Sequence, residues 1–335
     1  MSGESRSTPR PPGNSIPKTR LHAANSQTKF SFAFQSLLLT VLAFAGCSGK
    51  ETPAQVQAAP APALSYIGAW GVKGSDPGQL DKPASVASDG VGNVFIADRG
   101  SEFIDKFDWS GTPLLSFQQI GLNHPLWITV DSGAAIYVSD PARASVFVFL
   151  PDGDRYRELR VRARPSADNL LSVAVSDDGT VYVLDGSTAK VTQFDSRLRF
   201  ARTWTVPGVP EGTEVNAGPI VAASDGSLYV GDAATGLIRH LTHEGEAQGE
   251  IGPPPNGGRL GDRFAVSTNA IFAMDADGRT VHMFGLDGSL KLSADLAPQL
   301  GQGARKPPAL AASPRQELLV LDDSAARVLR YRIQY

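Results

Sequence analysis

Short runs of β-branched and aromatic residues, each closing on an aspartate, recur along the chain, beginning with Asn93-Val94-Phe95-Ile96-Ala97-Asp98. The closing aspartates are Asp98, Asp140, Asp185, Asp232, Asp275 and Asp322, at intervals of 42, 45, 47, 43 and 47 residues. A repeat of roughly 40–50 residues is typical of propeller blades, each of which is one supersecondary unit. The pattern therefore predicts six blades.

Each repeat divides into strand-like segments separated by turn residues. The first repeat has segments at 84–87, 94–97, 103–107 and 113–117. Asp-Gly and Gly-Asn pairs lie between the first two segments and supply the positive backbone angles of tight hairpins. Repeats five and six use Ser267-Thr268-Asn269 and 313–317 at that turn instead. Each unit is predicted to be a four-stranded antiparallel meander.

The two ends of the repeat array indicate how the ring closes. After Asp322 only one more strand-like segment follows, 327–333, whereas an extra segment, 65–70, precedes the first repeat. The N-terminal strand is therefore predicted to complete the last blade. Radial closure leaves only short, protected strand edges. The expected fold is an all-β, six-bladed β-propeller, and we expect it to be monomeric.

One stretch resembles a known repeat family. Ile67-Gly68-Ala69-Trp70-Gly71, then 74–83 with Gly78-Gln79-Leu80, then 86–98 is similar to an almost complete NHL repeat. Later repeats keep the aspartate and lose the Gly-Gln-Leu loop. The resemblance covers 65–335 and implies an NHL-type β-propeller there.

The N-terminal region is typical of an exported protein. Residues 1–46 combine a basic segment with an apolar run from Phe30, the parts of an export signal. Ala45-Gly46-Cys47 resembles the lipobox of bacterial lipoproteins, although Phe44 replaces the usual aliphatic residue. The resemblance implies a lipidated Cys47, and Ser48 favours the outer membrane or periplasmic side. A plain secretory signal and a buried structural cysteine are the alternatives.

Residues 47–64 are rich in Pro and Ala and predict a flexible tether between lipid and domain. Beyond residue 46 the chain has 26 basic and 33 acidic residues, a net charge of −7. A general nucleic-acid binder would be basic, so no nucleic-acid partner is expected.

The six aspartates admit two interpretations. A ring of carboxylates is able to chelate a cation such as calcium. Alternatively, each carboxylate accepts backbone N–H groups in its own turn. Because the same residue returns in every blade, the structural interpretation is favoured.

Histidines give a weak signal for a metal. NHL-like amidating lyases hold zinc with three histidines from different blades, and of His124, His240, His243 and His282 only His124 lies in a suitable loop. No cofactor is predicted, with calcium or zinc left as minor alternatives. His124 with Trp127 is interpreted as a packed loop pair or a binding site.

The segments expected to line the axis contain no acid, which disfavours an axial metal. The first-strand segments are 84–87, 126–130, 171–175, 219–223, 264–266 and 309–312. Loop residues that remain able to reach inward are Asp81, Asp168, Asn169, Glu214, Asn216 and Asp262. No nucleophile elbow, zinc-protease motif or phosphate loop is present, so no catalytic residue is predicted.

An arginine-rich stretch, 155–164, alternates Arg160, Arg162 and Arg164 with apolar residues. Alternation predicts the outermost strand of the second blade with a basic face outward. Such a face discourages edge pairing, or it docks acidic partners or anionic lipid head groups.

The leading hypothesis is a non-catalytic binding or scaffold propeller on the bacterial envelope, with a protein or glycan partner. Its expected binding surface is the set of inter-blade loops, 71–82, 119–125, 162–170, 207–218, 252–263 and 296–308. The alternative is a lactonase-like or amidating-lyase-like hydrolase or lyase with a loop-held metal. A purely structural envelope protein is a third possibility.

Replacing Cys47 with Ala tests the anchor. Because the thioether to the lipid requires the Cys47 sulfur, Cys47→Ala is expected to abolish incorporation of a labelled fatty acid. Labelling of Cys47→Ala equal to that of the wild type would contradict lipidation at this position.

Overall fold

The computed structural model describes residues 61–118, 122, 125–161, 171–209, 217–232, 234–254, 258–301 and 308–335. Within these ranges the chain forms twenty-four β-strands and a short 3-10 turn, Pro141–Arg143. In this described part no helix is long and apolar enough to cross a bilayer. The leader, Cys47 and most of the tether lie outside the described residues.

The strands make six four-stranded antiparallel sheets, the blades. In chain order the first strand is β1 (Ala63–Trp70). Blade 1 contains β2 (Pro83–Ser88), β3 (Val94–Asp98), β4 (Ile104–Phe107) and β5 (Pro113–Phe117). Blade 2 contains β6 (Trp127–Val130), β7 (Ile136–Asp140), β8 (Ser145–Phe149) and β9 (Arg155–Arg160). Blade 3 contains β10 (Leu171–Val175), β11 (Val181–Asp185), β12 (Lys190–Phe194) and β13 (Phe200–Thr205).

The remaining blades repeat the arrangement. Blade 4 contains β14 (Ala217–Ala222), β15 (Leu228–Asp232), β16 (Leu237–Leu241) and β17 (Ala247–Ile251). Blade 5 contains β18 (Leu260–Val266), β19 (Ala270–Asp275), β20 (Thr280–Gly285) and β21 (Leu290–Asp295). Blade 6 contains β22 (Ala309–Ser313), β23 (Glu317–Asp322), β24 (Arg327–Gln334) and β1. The inner strand of each blade contacts the inner strands of its two neighbours, which closes a ring.

Burial changes from the axis to the rim of each blade. The second strands β3, β7, β11, β15 and β23 are buried at every position. Each of these strands has a neighbouring strand on both sides and a neighbouring blade on both faces, so no part of it is exposed. Its sequence is therefore a continuous apolar run. The outer strand β13 is instead exposed at its first four residues. This gradient explains why the second strand is the most recognisable part of the repeat.

The hydrophobic core is divided among the blade interfaces. Each of the six buried clusters in the described chain joins side chains of two neighbouring blades. Between blades 1 and 2, for example, Phe95 and Ile104 share a cluster with Ile136, Phe147 and Phe149. Removing such apolar area from water stabilises the fold by about 25 cal/mol per Å². Blade stacking is therefore the main source of stability.

The N-terminal strand closes the ring, as predicted. β1 pairs antiparallel with β24 from Ala63 opposite Gln334 to Trp70 opposite Val328. Trp70 also packs on Phe107 of blade 1, with ring centroids 4.8 Å apart. β1 begins two residues before the expected strand. It is thus bonded to the last blade and packed against the first.

The strand that differs most from its expected bounds is β18. β18 begins at Leu260 rather than Phe264, because Leu260 pairs with Asp275 and the ladder resumes at Phe264 after a bulge. The statement that no first strand contains an acid is therefore wrong for blade 5, since Asp262 lies within β18. A bulge is not visible as alternation in a sequence, because the extra residues interrupt the period.

Deleting residues 64–70 removes the outer strand of blade 6 together with Trp70. Because the ladder with β24 and the contact with Phe107 are both lost, we expect the melting temperature to fall by about 10 °C or more. A deletion of equal length within the tether, residues 49–55, is the control and should leave melting unchanged. Equal melting temperatures for both deletions would contradict closure by β1.

Candidate functional site

The ring has two faces with different connections. The loops between second and third strands and the inter-blade loops lie at one end of the blades, called the loop face here. The two hairpin turns of each meander lie at the other end, the hairpin face. The six aspartates end second strands or precede the next loop, so they lie at the loop face.

Two of the aspartates hold inter-blade loops. Asp98 accepts hydrogen bonds from Asp81 N at 2.6 Å and Lys82 N at 3.0 Å, in the loop before β2. Asp322 accepts one from Gly301 N at 2.8 Å, in the loop before β22. Both carboxylates are almost completely buried. They tie each loop to its own blade.

Asp185, Asp232 and Asp275 accept hydrogen bonds from residues of their own blades. Asp185 accepts from Ser187 N at 3.0 Å, Asp232 from Ala234 N at 3.0 Å and Asp275 from Thr280 N at 2.9 Å. Asp140 is fully buried at the equivalent position, before the 3-10 turn.

At two of these carboxylates, hydrogen bonds from nearby residues offset the rise in pKa that burial causes. Burial raises the pKa of Asp232, but hydrogen bonds from Arg239 and Thr235 outweigh it, and the pKa lies below its usual value. At Asp322 burial is likewise outweighed by hydrogen bonds, chiefly from Ser324 and Gly301, which lower the pKa. These charges are stabilised inside single blades rather than aimed at the axis.

A buried carboxylate that sequence reasoning did not single out lies in β4. Asp105 accepts hydrogen bonds from Gly78 N at 3.1 Å and Ser116 Oγ at 2.5 Å. Its other oxygen has no hydrogen-bond partner in the described chain. Burial raises the pKa of Asp105 to about 6, against the lowering effect of those two bonds. The sequence signal that could have identified Asp105 is an acidic residue within a strand otherwise predicted to be hydrophobic.

The loop-face end of the axis forms a small recess. Its volume is about 60 Å³, and its charged lining residues are Arg99, Arg263 and Asp323. The Arg263 guanidinium lies over the Trp127 ring, 5.4 Å from its centroid. Trp127 is therefore a buried residue at the start of β6 that contacts blade 5. His124, its predicted companion, lies outside the described residues.

Further along the axis lies a channel that exposes more polar than apolar surface. A cavity of about 240 Å³ is lined by the inner strands of all six blades, mostly by Val and Ala side chains. Asp177 is the charged residue among those lining it. The lining side chains of the described residues are thus mostly small and aliphatic.

The described histidines of blades 4 and 5 lie in separate places. His240 stacks on Tyr229 with centroids 4.6 Å apart, and His282 Nδ1 lies 2.8 Å from Ser293 Oγ. His243 pairs with Glu244 on the surface. Among the described residues no group of three or more His, Cys, Asp or Glu is arranged to hold a metal ion.

The arginine-rich stretch forms the outermost strand of blade 2. Arg155, Arg157 and Arg160 are exposed on β9, whereas Leu159 is buried. Arg157 donates hydrogen bonds to carbonyl oxygens in blade 3 at 3.2 and 3.3 Å. Arg160 pairs with Glu158 at 3.3 Å. Arg162 and Arg164 lie outside the described residues.

Comparisons with known proteins extend to the fold. No family model and no curated protein matches the chain. A streptogramin B lyase structure is 14% identical with a TM-score of 0.57, covering 80% of this chain and 88% of that one. The Cps50 (Swd1) β-propeller domain of Myceliophteria thermophila is 10% identical with a TM-score of 0.56, covering 81% and 100%. A Bacteroides thetaiotaomicron protein of unknown function is 12% identical with a TM-score of 0.58, covering 82% and 76%.

Such low identities show the fold alone. One of these propellers is named as a lyase and another as a β-propeller domain. The shared architecture is therefore compatible with either class of function.

Asp105→Asn tests the buried carboxylate. The pKa of Asp105 is about 6 in the folded protein and 3.8 in the unfolded chain. The folded protein is therefore stabilised relative to the unfolded chain at low pH, where the carboxyl is protonated. That contribution disappears as pH rises through about 6. Asparagine remains neutral and keeps an acceptor, so the variant should match the wild type near pH 4. At pH 7.5 it should be more stable, by at most about 3 kcal/mol.

Melting temperatures from pH 4 to 8 measure this difference. Asp108→Asn is the matched control, because hydrogen bonds from Ser110 and Thr112 lower the pKa of that exposed carboxyl. The control should gain no stability at pH 7.5. A pH profile of Asp105→Asn parallel to that of the wild type would contradict the raised pKa.

Proposed function

We propose that this protein is a non-catalytic binding or scaffold propeller, carried on the bacterial envelope by a lipid on Cys47. Its partner is a protein or glycan held by the loop face. The observation that supports this best is the recess of about 60 Å³ at the loop-face end of the axis. Pockets that enclose a small ligand usually measure about 300–1,000 Å³. The recess itself thus suits contact with part of a larger partner rather than enclosure of a small ligand.

The exposed groups of the loop face suit a partner with acidic or polar groups. Arg99 and Arg143 follow second strands of blades 1 and 2 and are exposed, as is Arg279 in blade 5. A guanidinium donates several hydrogen bonds in a planar fork that matches carboxylates, and Arg is enriched at protein interfaces. Glu102, Asp277 and Asp323 are interspersed with these arginines, which favours a specific partner over a general polyanion.

The proposed anchor leaves room for such a partner. Ala63, the first residue of β1, is sixteen residues after Cys47. A Pro-rich tether extends by roughly 3.1 Å per residue, so it spans up to about 50 Å. The loop face is then accessible to partners that are not themselves in the membrane.

A hydrolase or lyase is the second candidate function, and one observation favours it. Asp262 belongs to β18, directly before Arg263 of the recess, so an acid does occur on an inner strand. Metal analysis of the purified full-length protein separates the two. A stoichiometric calcium or zinc ion would support the enzyme, and its absence together with a saturable partner would support the binding module.

Cross-linking in intact envelopes followed by pull-down tests the binding proposal. The wild type should capture a saturable partner, and Arg99→Glu should reduce capture at least tenfold, because it reverses a charge at the recess. Lys291→Glu, at an exposed position of β21, is the control and should capture normally. Failure of the wild type to capture any saturable partner would contradict the binding proposal.

Charge reversal at Arg160 and Arg162 separates the two interpretations of the basic strand. If the strand docks acidic partners or lipid head groups, Arg160→Glu with Arg162→Glu should weaken envelope association or pull-down. Unchanged association and capture would leave protection of the sheet edge as its role.

A further inference from the structure

The hairpin face carries a cavity, called the cup here, on the opposite face from the proposed loop-face partner. Its volume is about 310 Å³, and it lies among blades 4, 5 and 6. Ala222, Val266 and Ala312 form its apolar floor and also line the axial channel. The cup therefore opens to the surface at one end and borders the axial channel at the other.

The rim of the cup is polar and uncharged. The side chains of Ser224, Thr268, Asn269 and Gln316 are exposed there and make no hydrogen bond within the described part of the chain. They offer hydroxyl and amide groups, which both donate and accept hydrogen bonds. No charged side chain is among the described residues that line the cup. These groups are free to bond a ligand.

The neutral rim coincides with a break in the repeat. In blade 2 the hairpin turn is held by Asp131, which accepts Gly133 N and Ala135 N at 2.9 Å each. In blade 5 Ser267 Oγ replaces that carboxylate and accepts Ala270 N at 3.0 Å. The turn is thus kept while its negative charge is removed.

The same replacement occurs in blade 6, where Ser313 Oγ accepts Arg315 N at 3.3 Å. The Arg315 guanidinium lies over the Trp109 ring of blade 1, 4.7 Å from its centroid, so it is engaged away from the cup. Blades 5 and 6, whose turns lack an acid, therefore supply most of the uncharged rim, whereas blade 4 keeps Asp225, which accepts Ser227 N at 2.9 Å. Function is commonly added to a symmetric fold in this local way.

An aromatic side chain supplies part of the wall. The Tyr335 hydroxyl lies 3.0 Å from Ser267 Oγ, and this hydrogen bond links the end of blade 6 to the turn of blade 5. Tyr335 is 37% exposed, so its ring is available to a ligand. An apolar floor, an aromatic wall and a hydroxyl and amide rim match the two kinds of surface on a sugar ring.

We propose that the cup binds an uncharged glycoside, with the sugar at the polar rim and an apolar aglycone against Ala222, Val266 and Ala312 of the floor. The volume of about 310 Å³ lies at the lower end of ligand pockets, which fits a small glycoside. A charged head group is disfavoured, because it would lose water without gaining a charged partner. This site is on the opposite face from the proposed protein or glycan partner and is independent of it.

Isothermal titration calorimetry of the full-length protein with hexyl β-D-glucoside tests the proposal. The wild type should bind one equivalent. Thr268→Trp fills the mouth of the cup and should weaken binding at least tenfold. Ser132→Trp, at the matching turn position of blade 2, is the control and should bind as the wild type does. Equal binding by the two Trp variants would overturn the proposal.

Three further arms define the ligand class. Asn269→Asp adds a charge at nearly constant volume and should weaken binding at least tenfold without lowering the melting temperature. Glucose should bind at least tenfold more weakly than hexyl glucoside, because it buries less apolar surface. Hexyl sulfate should not compete. Absence of saturable hexyl glucoside binding, equal affinity for glucose, or competition by hexyl sulfate would each contradict the proposal as stated.

Discussion

Burial of the second strand on both faces is the constraint on which the rest of the molecule depends. A single meander has two apolar faces and nothing to cover them, so each blade needs two neighbours. The six interface clusters are the result, and every one joins side chains from two blades. An open row of blades would expose apolar faces at both ends. The ring removes those ends, and β1 then joins blade 6 by main-chain hydrogen bonds and contacts blade 1 through Trp70.

This packing also determines where chemistry is possible. The walls of the axis are small apolar side chains, because inner strands must approach one another closely. The repeated aspartates lie at the loop face, but the hydrogen bonds that Asp98, Asp185 and Asp322 accept hold loops and turns within single blades. Residues that do not repeat remain: Arg99, Arg263 and Asp323 at one end of the axis, and the serine-based turns of blades 5 and 6 at the other. Asymmetry in a symmetric fold is where a ligand is recognised.

Asp105 illustrates the limit of a repeat as a guide to single residues. In the sequence it belongs to the third-strand segment 103–107, which is predicted to be a hydrophobic strand and corresponds to β4. The tertiary structure places its carboxylate under Gly78 of the inter-blade loop and beside Ser116 of β5, away from water. The raised pKa follows from that burial, which depends on a loop 27 residues away. Strand periodicity contains no information about such a contact.

The sequence by itself determined the number of blades, the four strands of each and the closing strand, since these follow from local periodicity and from counting segments at the chain ends. It also indicated that repeats five and six have different turns. Only the tertiary structure decided that β18 contains a bulge and includes Asp262. It also placed Arg263 of blade 5 over the Trp127 ring of blade 2, and it brought the serine-based turns of blades 5 and 6 to one cavity. These features join residues far apart in the chain, and side-chain packing between blades, rather than local preference, sets their positions.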